Sequence, residues 1–160
     1  MIICIMGVAG SGKSTIGKMV AEKLNLTFLD ADDFHPQSNI EKMKKGNPLN
    51  DEDRLPWLQI LNRELHERNK GRGAILACSA LKNAYRKILE EDLEIFWVHL
   101  DGSLETLIKR MENRKDHFMP VSLLKSQKDT LEASDNALVV DIENSPDLIV
   151  EKILGNLPED

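Results

Sequence analysis

Gly7-Val8-Ala9-Gly10-Ser11-Gly12-Lys13-Ser14 is the stretch whose residue types and spacing point most directly to chemistry. It satisfies every position of G-x-x-x-x-G-K-[ST], and Thr15 follows. Glycines permit backbone conformations that a side chain forbids, so successive amide N–H groups can turn inward onto one anion. A helix opening behind such a loop adds the positive end of its dipole. Lys13 supplies a point charge for the β and γ phosphates of a nucleotide, and the Ser14 hydroxyl a ligand for Mg²⁺. Thr15 is placed to donate to the α-phosphate. A chance glycine-rich turn would lack the apolar strand before it and the amphipathic helix after it. Gly7 to Thr15 is therefore expected to bind ATP with Mg²⁺.

A second chemical segment is Asp30-Ala31-Asp32-Asp33-Phe34-His35-Pro36. On an extended segment residues two apart point the same way, which puts Asp30 and Asp32 on one side. One carboxylate can steady a magnesium-bound water while the other orients and deprotonates an attacking hydroxyl. The alternative is a solvated acidic turn capping the helix that Pro36 begins. Strand three ends Ala77-Cys78-Ser79 and offers no aspartate, which leaves the metal's outer shell to Asp30.

Three cationic groups follow. Arg54 sits among Asp51, Glu52 and Asp53 at a helix start, where a cation opposes the helix dipole. It is either a fork for an anionic substrate group or an ion-pair partner of Asp51 or Asp53. Lys82 and Arg86, four apart, would share a helix face and hold an acid group, or serve only as surface charges. Arg110 and Arg114 are also four apart, at the root of an aperiodic stretch. They can close over the nucleotide and neutralise the transferring phosphoryl group, or lie on a surface helix.

These groups require a scaffold of alternating short apolar runs and longer amphipathic ones, the pattern of an α/β chain with a parallel sheet. Strands are predicted at Ile2–Met6, Thr27–Asp30, Ala74–Cys78, Ile95–Leu100 and Ala137–Asp141. Helices are predicted at Lys13–Leu24, Pro36 to about Lys45, Asp51 (as N-cap) to about Lys70, Leu81–Glu91, Ser103–Arg114, Ser122–Glu132 and Pro146–Leu154. No repeat or linker interrupts the 160 residues, so a single domain is expected over 1–160, with a mobile lid at about 114–134. His66 and His99 read as structural, and His117 with Phe118 as packing within the lid.

The net charge of −6 argues against a nucleic-acid partner. No apolar run approaches the roughly 18–20 residues of a membrane span, and no basic leader precedes the first strand. Cys4 and Cys78 fall in apolar strand-like runs and suit buried cytosolic thiols, so the expected compartment is the cytoplasm. A guanine-reading Asn-Lys-x-Asp segment is absent from the sequence. Its nearest approach, Ser126-Gln127-Lys128-Asp129, lies in a predicted helix. A small kinase fits best. A nucleotide-gated binding protein without turnover is the reading of another class, disfavoured by Asp32 and the paired arginines.

The chain closely resembles the gluconate kinases, in the small P-loop kinase group of shikimate and adenylate kinases. The resemblance rests on Gly7–Thr15, Asp30-Ala31-Asp32 with Phe34-His35-Pro36, Lys42-Met43, Gly46 with Pro48-Leu49-Asn50-Asp51, and Asp53-Arg54 with Pro56-Trp57-Leu58. It continues through Cys78-Ser79-Ala80-Leu81-Lys82, Tyr85-Arg86, Arg114 with His117-Phe118-Met119, Leu123-Leu124, Ser126-Gln127 and Leu131-Glu132. It implies a three-layer P-loop kinase fold with a five-stranded parallel sheet and a small helical lid. It also implies a homodimer and ATP-dependent phosphorylation of D-gluconate on its 6-hydroxyl. Lys13, Asp32, Arg110 and Arg114 would then be catalytic, with Ser14 and, through water, Asp30 serving Mg²⁺. Asp32, His35, Arg54, Lys82 and Arg86 would bind the sugar acid. A kinase for another small hydroxy acid or for a nucleoside monophosphate is the alternative. Ala9 stands where family members often carry serine.

Overall fold

A computed structural model of the chain describes residues 1–113 and 121–159. Five strands, β1 (Ile2–Met6), β2 (Thr27–Asp30), β3 (Ala74–Ala77), β4 (Ile95–Asp101) and β5 (Leu138–Asp141), pair in parallel in the order β2-β3-β1-β4-β5. The helices are α1 (Lys13–Leu24), α2 (Gln37–Lys44), α3 (Asp51–Asn69), α4 (Asn83–Leu89), α5 (Leu104–Glu112), α6 (Val121–Thr130) and α7 (Pro146–Gly155).

The three layers follow from the period of two in the strands. Every residue of β1 is buried, yet its side chains divide between two cores. Ile3 and Ile5 join Ile16 and Val20 of α1, Leu107 of α5, Leu124 of α6 and Ile149 and Ile153 of α7. Ile2, Cys4 and Met6 join Trp57, Leu58, Leu61 and Leu65 of α3, with Tyr85 and Leu89 of α4. A parallel sheet buried on both faces must read as a continuous apolar run, and Ile-Ile-Cys-Ile-Met does. Each fully buried Leu or Ile contributes about 1.5–3 kcal/mol relative to exposure.

The carboxyl end of β1 is where the chain's course reverses. The strands made next, β2 and β3, lie to one side, and β4 and β5 to the other. Ligands in open parallel sheets bind at such a point, and it is here that the glycine loop emerges.

Local chemistry shifts several boundaries. Asn50, not Asp51, caps α3. Its side chain accepts from the Asp53 amide at 2.8 Å while Asp53 accepts from the Asn50 amide at 2.9 Å, a reciprocal capping box. The segment after β2 is not extended as predicted. Ala31–Phe34 forms a 3-10 turn, capped by Asp30, whose Oδ1 accepts from the Asp32 amide at 3.0 Å. Asp30 and Asp32 are brought together by this turn and not by strand alternation. Lys82 is the extended N-cap of α4 and lies outside the helix, so it shares no helical face with Arg86.

Candidate active site

Gly10 and Gly12 hold φ angles of 80° and 94°, the left-handed region that side chains rarely adopt. Gly12 is the N-cap of α1, and no side chain caps that terminus. The first-turn amides of Lys13, Ser14 and Thr15 are therefore left facing outward, as an anion site requires. The Lys13 ammonium donates across the loop to the Val8 carbonyl at 3.0 Å. Burial pushes the Lys13 pKa down, and the nearby Cys78, Asp32 and Asp30 oppose that shift. On the α6 side the Ala9 amide donates to Gln127 Oε1 at 2.8 Å, so a side chain holds the loop's entrance in place. On the α5 side Arg110 donates to the Ile142 carbonyl at 2.6 Å. With Gly10, Gly12, Thr15 and Asn113, Arg110 lines a cleft of about 330 Å³ beside the loop. The cradle thus fits a nucleotide triphosphate.

The acidic turn faces the cradle. Ser14 Oγ donates to Asp30 Oδ2 at 3.4 Å, which joins the two groups expected to serve Mg²⁺. Among the described residues no cluster of three or more His, Cys, Asp or Glu forms a metal cage. One hydroxyl and one carboxylate suit a magnesium ion that keeps its waters and is held mainly by phosphates. Asp32 projects outward with 86% of its side chain exposed. The crevice walls and then Asp30 push its pKa up while Lys13 pulls it down, and water screens all three effects.

His35 lies beneath, its ring stacked on Trp57 at 4.2 Å between centroids and its side chain only 5% exposed. Burial, then the charge of Arg54, lowers its pKa to about 4, so the ring is neutral near pH 7. Trp57 in turn donates to the Ala31 carbonyl at 2.7 Å, fastening the turn to α3.

The mouth of the crevice carries two cations around one phenol. Arg54 donates to the Tyr85 hydroxyl at 3.1 Å and lies 5.4 Å from the centre of its ring. Lys82 lies 5.5 Å from the same centre and pairs with Asp51 at 3.3 Å. Tyr85 donates to Asp51 as well. Asp53 is taken by Lys42. Both acids proposed as partners of Arg54 are thus engaged elsewhere, and Arg54 pairs with no carboxylate among the described residues.

Arg86 is corrected by its surroundings. It is 4% exposed and donates to the carbonyls of Ala80 at 2.8 Å, Leu81 at 3.2 Å and Glu132 at 2.8 Å, and to Asn83 Oδ1 at 2.6 Å. It organises the loop after β3 and presents no free fork to a substrate. Arg114 and His117 lie outside the described residues, and α5 ends at Glu112, so Arg110 alone of the arginine pair is placed. Tyr85, Asn39 and Gln127 were given no role from the sequence. Tyr85 and Gln127 stand within segments that carry the family resemblance, which was a usable signal, whereas Asn39 offered none.

A probable gluconokinase of Xenopus tropicalis is 46% identical over 98% of this chain and 93% of its own length. The chain belongs to the gluconokinase family. The broader family model described as shikimate kinase matches residues 9–157. A gluconokinase structure from Sinorhizobium meliloti superposes with a TM-score of 0.84 at 41% identity, covering 96% of this chain and 89% of that one. A sugar kinase structure from a Janibacter species gives 0.90 at 43% identity, covering 96% and 92%. The gluconokinase likeness spans both the phosphate cradle and the acceptor-side turn.

Proposed function

We propose that the protein transfers the γ-phosphoryl group of ATP to the 6-hydroxyl of D-gluconate, giving 6-phospho-D-gluconate and ADP. The observation that carries the acceptor class is Arg54, a half-buried guanidinium without a carboxylate partner among the described residues, set at the crevice mouth beside an acidic turn. A guanidinium of this kind, engaged only by the Tyr85 hydroxyl, has donors left to match a carboxylate.

Lys13 and the loop amides hold the triphosphate, with the Lys13 ammonium against the β and γ oxygens. Ser14 and, through water, Asp30 would hold Mg²⁺, which when bound supplies neutralising charge to the phosphates. Asp32 accepts the proton of the attacking hydroxyl as the oxygen–phosphorus bond forms and the bond to ADP breaks. Arg54 receives the gluconate carboxylate, Lys82 adds charge at the same mouth, and His35 lines the polyol side. Arg110, from the wall of the cleft, stabilises charge on the transferring group, and Arg114 takes the same role from its spacing in the sequence and from the resemblance. A homodimeric state comes with this reading from the resemblance, and a cytoplasmic setting from the buried free thiols of Cys4 and Cys78.

The deciding assay is ADP release from ATP and Mg²⁺ with D-gluconate, alongside shikimate, AMP and a no-acceptor control. Turnover with gluconate alone is expected. Turnover with another acceptor and none with gluconate would keep the phosphate cradle and discard the acceptor assignment.

A further inference from the structure

Asn39, near the start of α2, is buried to 3% exposure. Its amide Nδ2 donates to the backbone carbonyl of Asp53 at 2.9 Å. A carbonyl can only accept, so this bond fixes which end of the amide is NH₂. The same nitrogen stands 3.3 Å from His35 Nδ1. Its second hydrogen points to that ring nitrogen, which must accept it and so carries a lone pair. In a neutral imidazole the proton is then on Nε2. Nε2 is the atom on the crevice side, 3.9 Å from Asp32 Oδ1.

From this geometry we infer that Asn39 is a positioning residue: it holds His35 as the neutral Nε2–H tautomer, an obligate hydrogen-bond donor aimed at an oxygen of the acceptor beside Asp32. The stacking of the ring on Trp57 fixes its plane, so the tautomer and the direction of donation are set together. Asp32 is left as the acceptor of the reacting proton while His35 only donates, a division of labour that suits a polyhydroxy substrate. One hydroxyl meets the base, and a neighbouring hydroxyl oxygen meets the donor.

The charged surroundings agree. Arg54 disfavours an imidazolium, Asp32 lies beyond hydrogen-bond range, and Asp53 approaches through its backbone while its carboxylate is engaged by Lys42. The ring's depressed basicity, to about 4, keeps it neutral throughout the working range.

The tautomer itself is independent of turnover, whereas its use in catalysis rests on the kinase reading. The test therefore has two arms. The full chain labelled with ¹⁵N-histidine is measured by long-range ¹H–¹⁵N NMR at pH 7, with His35 assigned by its loss in His35→Gln. An Nε2–H pattern is expected, and an Nδ1–H pattern or a rapid mixture would overturn the inference even if gluconate turns over normally.

In the second arm Asn39→Asp places a carboxylate against Nδ1 and should convert the ring to the Nδ1–H or doubly protonated form in the same spectra. With that change, kcat/KM for gluconate should fall about tenfold to a hundredfold, the worth of one oriented hydrogen bond, while KM for ATP stays within about twofold. His35→Gln, whose amide can donate near the Nε2 position, should retain more activity than His35→Asn, whose amide cannot reach it. Equal losses in those two variants, or an Asn39→Asp protein with unaltered gluconate kinetics, would overturn the positioning role.

Discussion

Lys13 and Asp32 are opposites in their exposure. The lysine is held against a loop carbonyl where burial works against its charge, and the aspartate, although its side chain is largely exposed, has its pKa raised by the crevice walls and by Asp30. Lys13 is therefore positioned ahead of ligand binding, and its cationic head is directed at whatever anion relieves it. Lys13→Ala should lower turnover by about three orders of magnitude or more with the thermal transition preserved, since one preorganised cation in a phosphoryl-transfer site is worth that much. Near-normal activity of this variant would remove the phosphate cradle from the mechanism. For Asp32→Asn the expected loss is in kcat, with KM for gluconate changed less than about threefold. A rise in KM alone would make Asp32 a binding group only.

The elements nearest the site are tied together by side chains from α6 and the segment after it. Gln127 holds the Ala9 amide, Glu132 Oε1 accepts from the Asn83 amide at 2.7 Å, and the Glu132 carbonyl accepts from Arg86. Gln127→Leu leaves the Ala9 amide unpaired and the loop less ordered, so KM for ATP should rise severalfold while KM for gluconate holds. Arg86→Met strands the Ala80 and Glu132 carbonyls, the Leu81 carbonyl keeping the Glu132 amide, and should destabilise the fold by about 2–4 kcal/mol in urea titration, with KM for gluconate unchanged at temperatures where the variant is folded. A raised KM with an unshifted urea midpoint would return Arg86 to the substrate.

Arg86 also shows where sequence reasoning stops. Apolar periodicity, with proline, glycine and capping signals, anticipated the five strands and seven α-helices of the described residues, because these are local properties of the chain. The geometry of the glycine loop was legible for the same reason, since its strand, left-handed glycines and helix start are local features. Which polar side chain spends its hydrogen bonds on the protein and which keeps them for a ligand depends on distant carbonyls. Glu132, 46 residues from Arg86, is such a partner. The 3-10 turn at Ala31–Phe34 was equally hidden, since four residues with two aspartates carry no periodicity and the turn is held by Trp57 from α3.

At the scale of the whole molecule two histidines shape the acid limb of stability. His35 is held at about 4 against an ordinary value of 6.5, and burial lowers His99 as well. Between those values the unfolded chain binds protons that the folded chain refuses, so stability should fall as pH drops from about 6.5 towards 4. Asp51 and Asp53, whose hydrogen bonds to Tyr85 and Lys42 keep them below 3.8, act only at lower pH. Urea midpoints at pH 7 and pH 5 should differ in that sense, and His35→Gln should narrow the difference. A midpoint that rises at pH 5 would show that the folded ring accepts a proton after all.

The strand order bears finally on how the chain is assembled during synthesis. β1 is made first among the strands, yet both of its neighbours come much later, β3 at Ala74–Ala77 and β4 at Ile95–Asp101. The residue that anchors the Ala9 amide, Gln127, comes later still. Closing such distant pairings is slow, and an unpaired apolar strand is exposed while it waits. A nascent chain released before Gln127 emerges therefore carries the entire glycine-loop sequence with the Ala9 amide still unpaired. The side chain that orders the loop's entrance arrives with the last quarter of the polypeptide, although the loop itself is among the first residues translated.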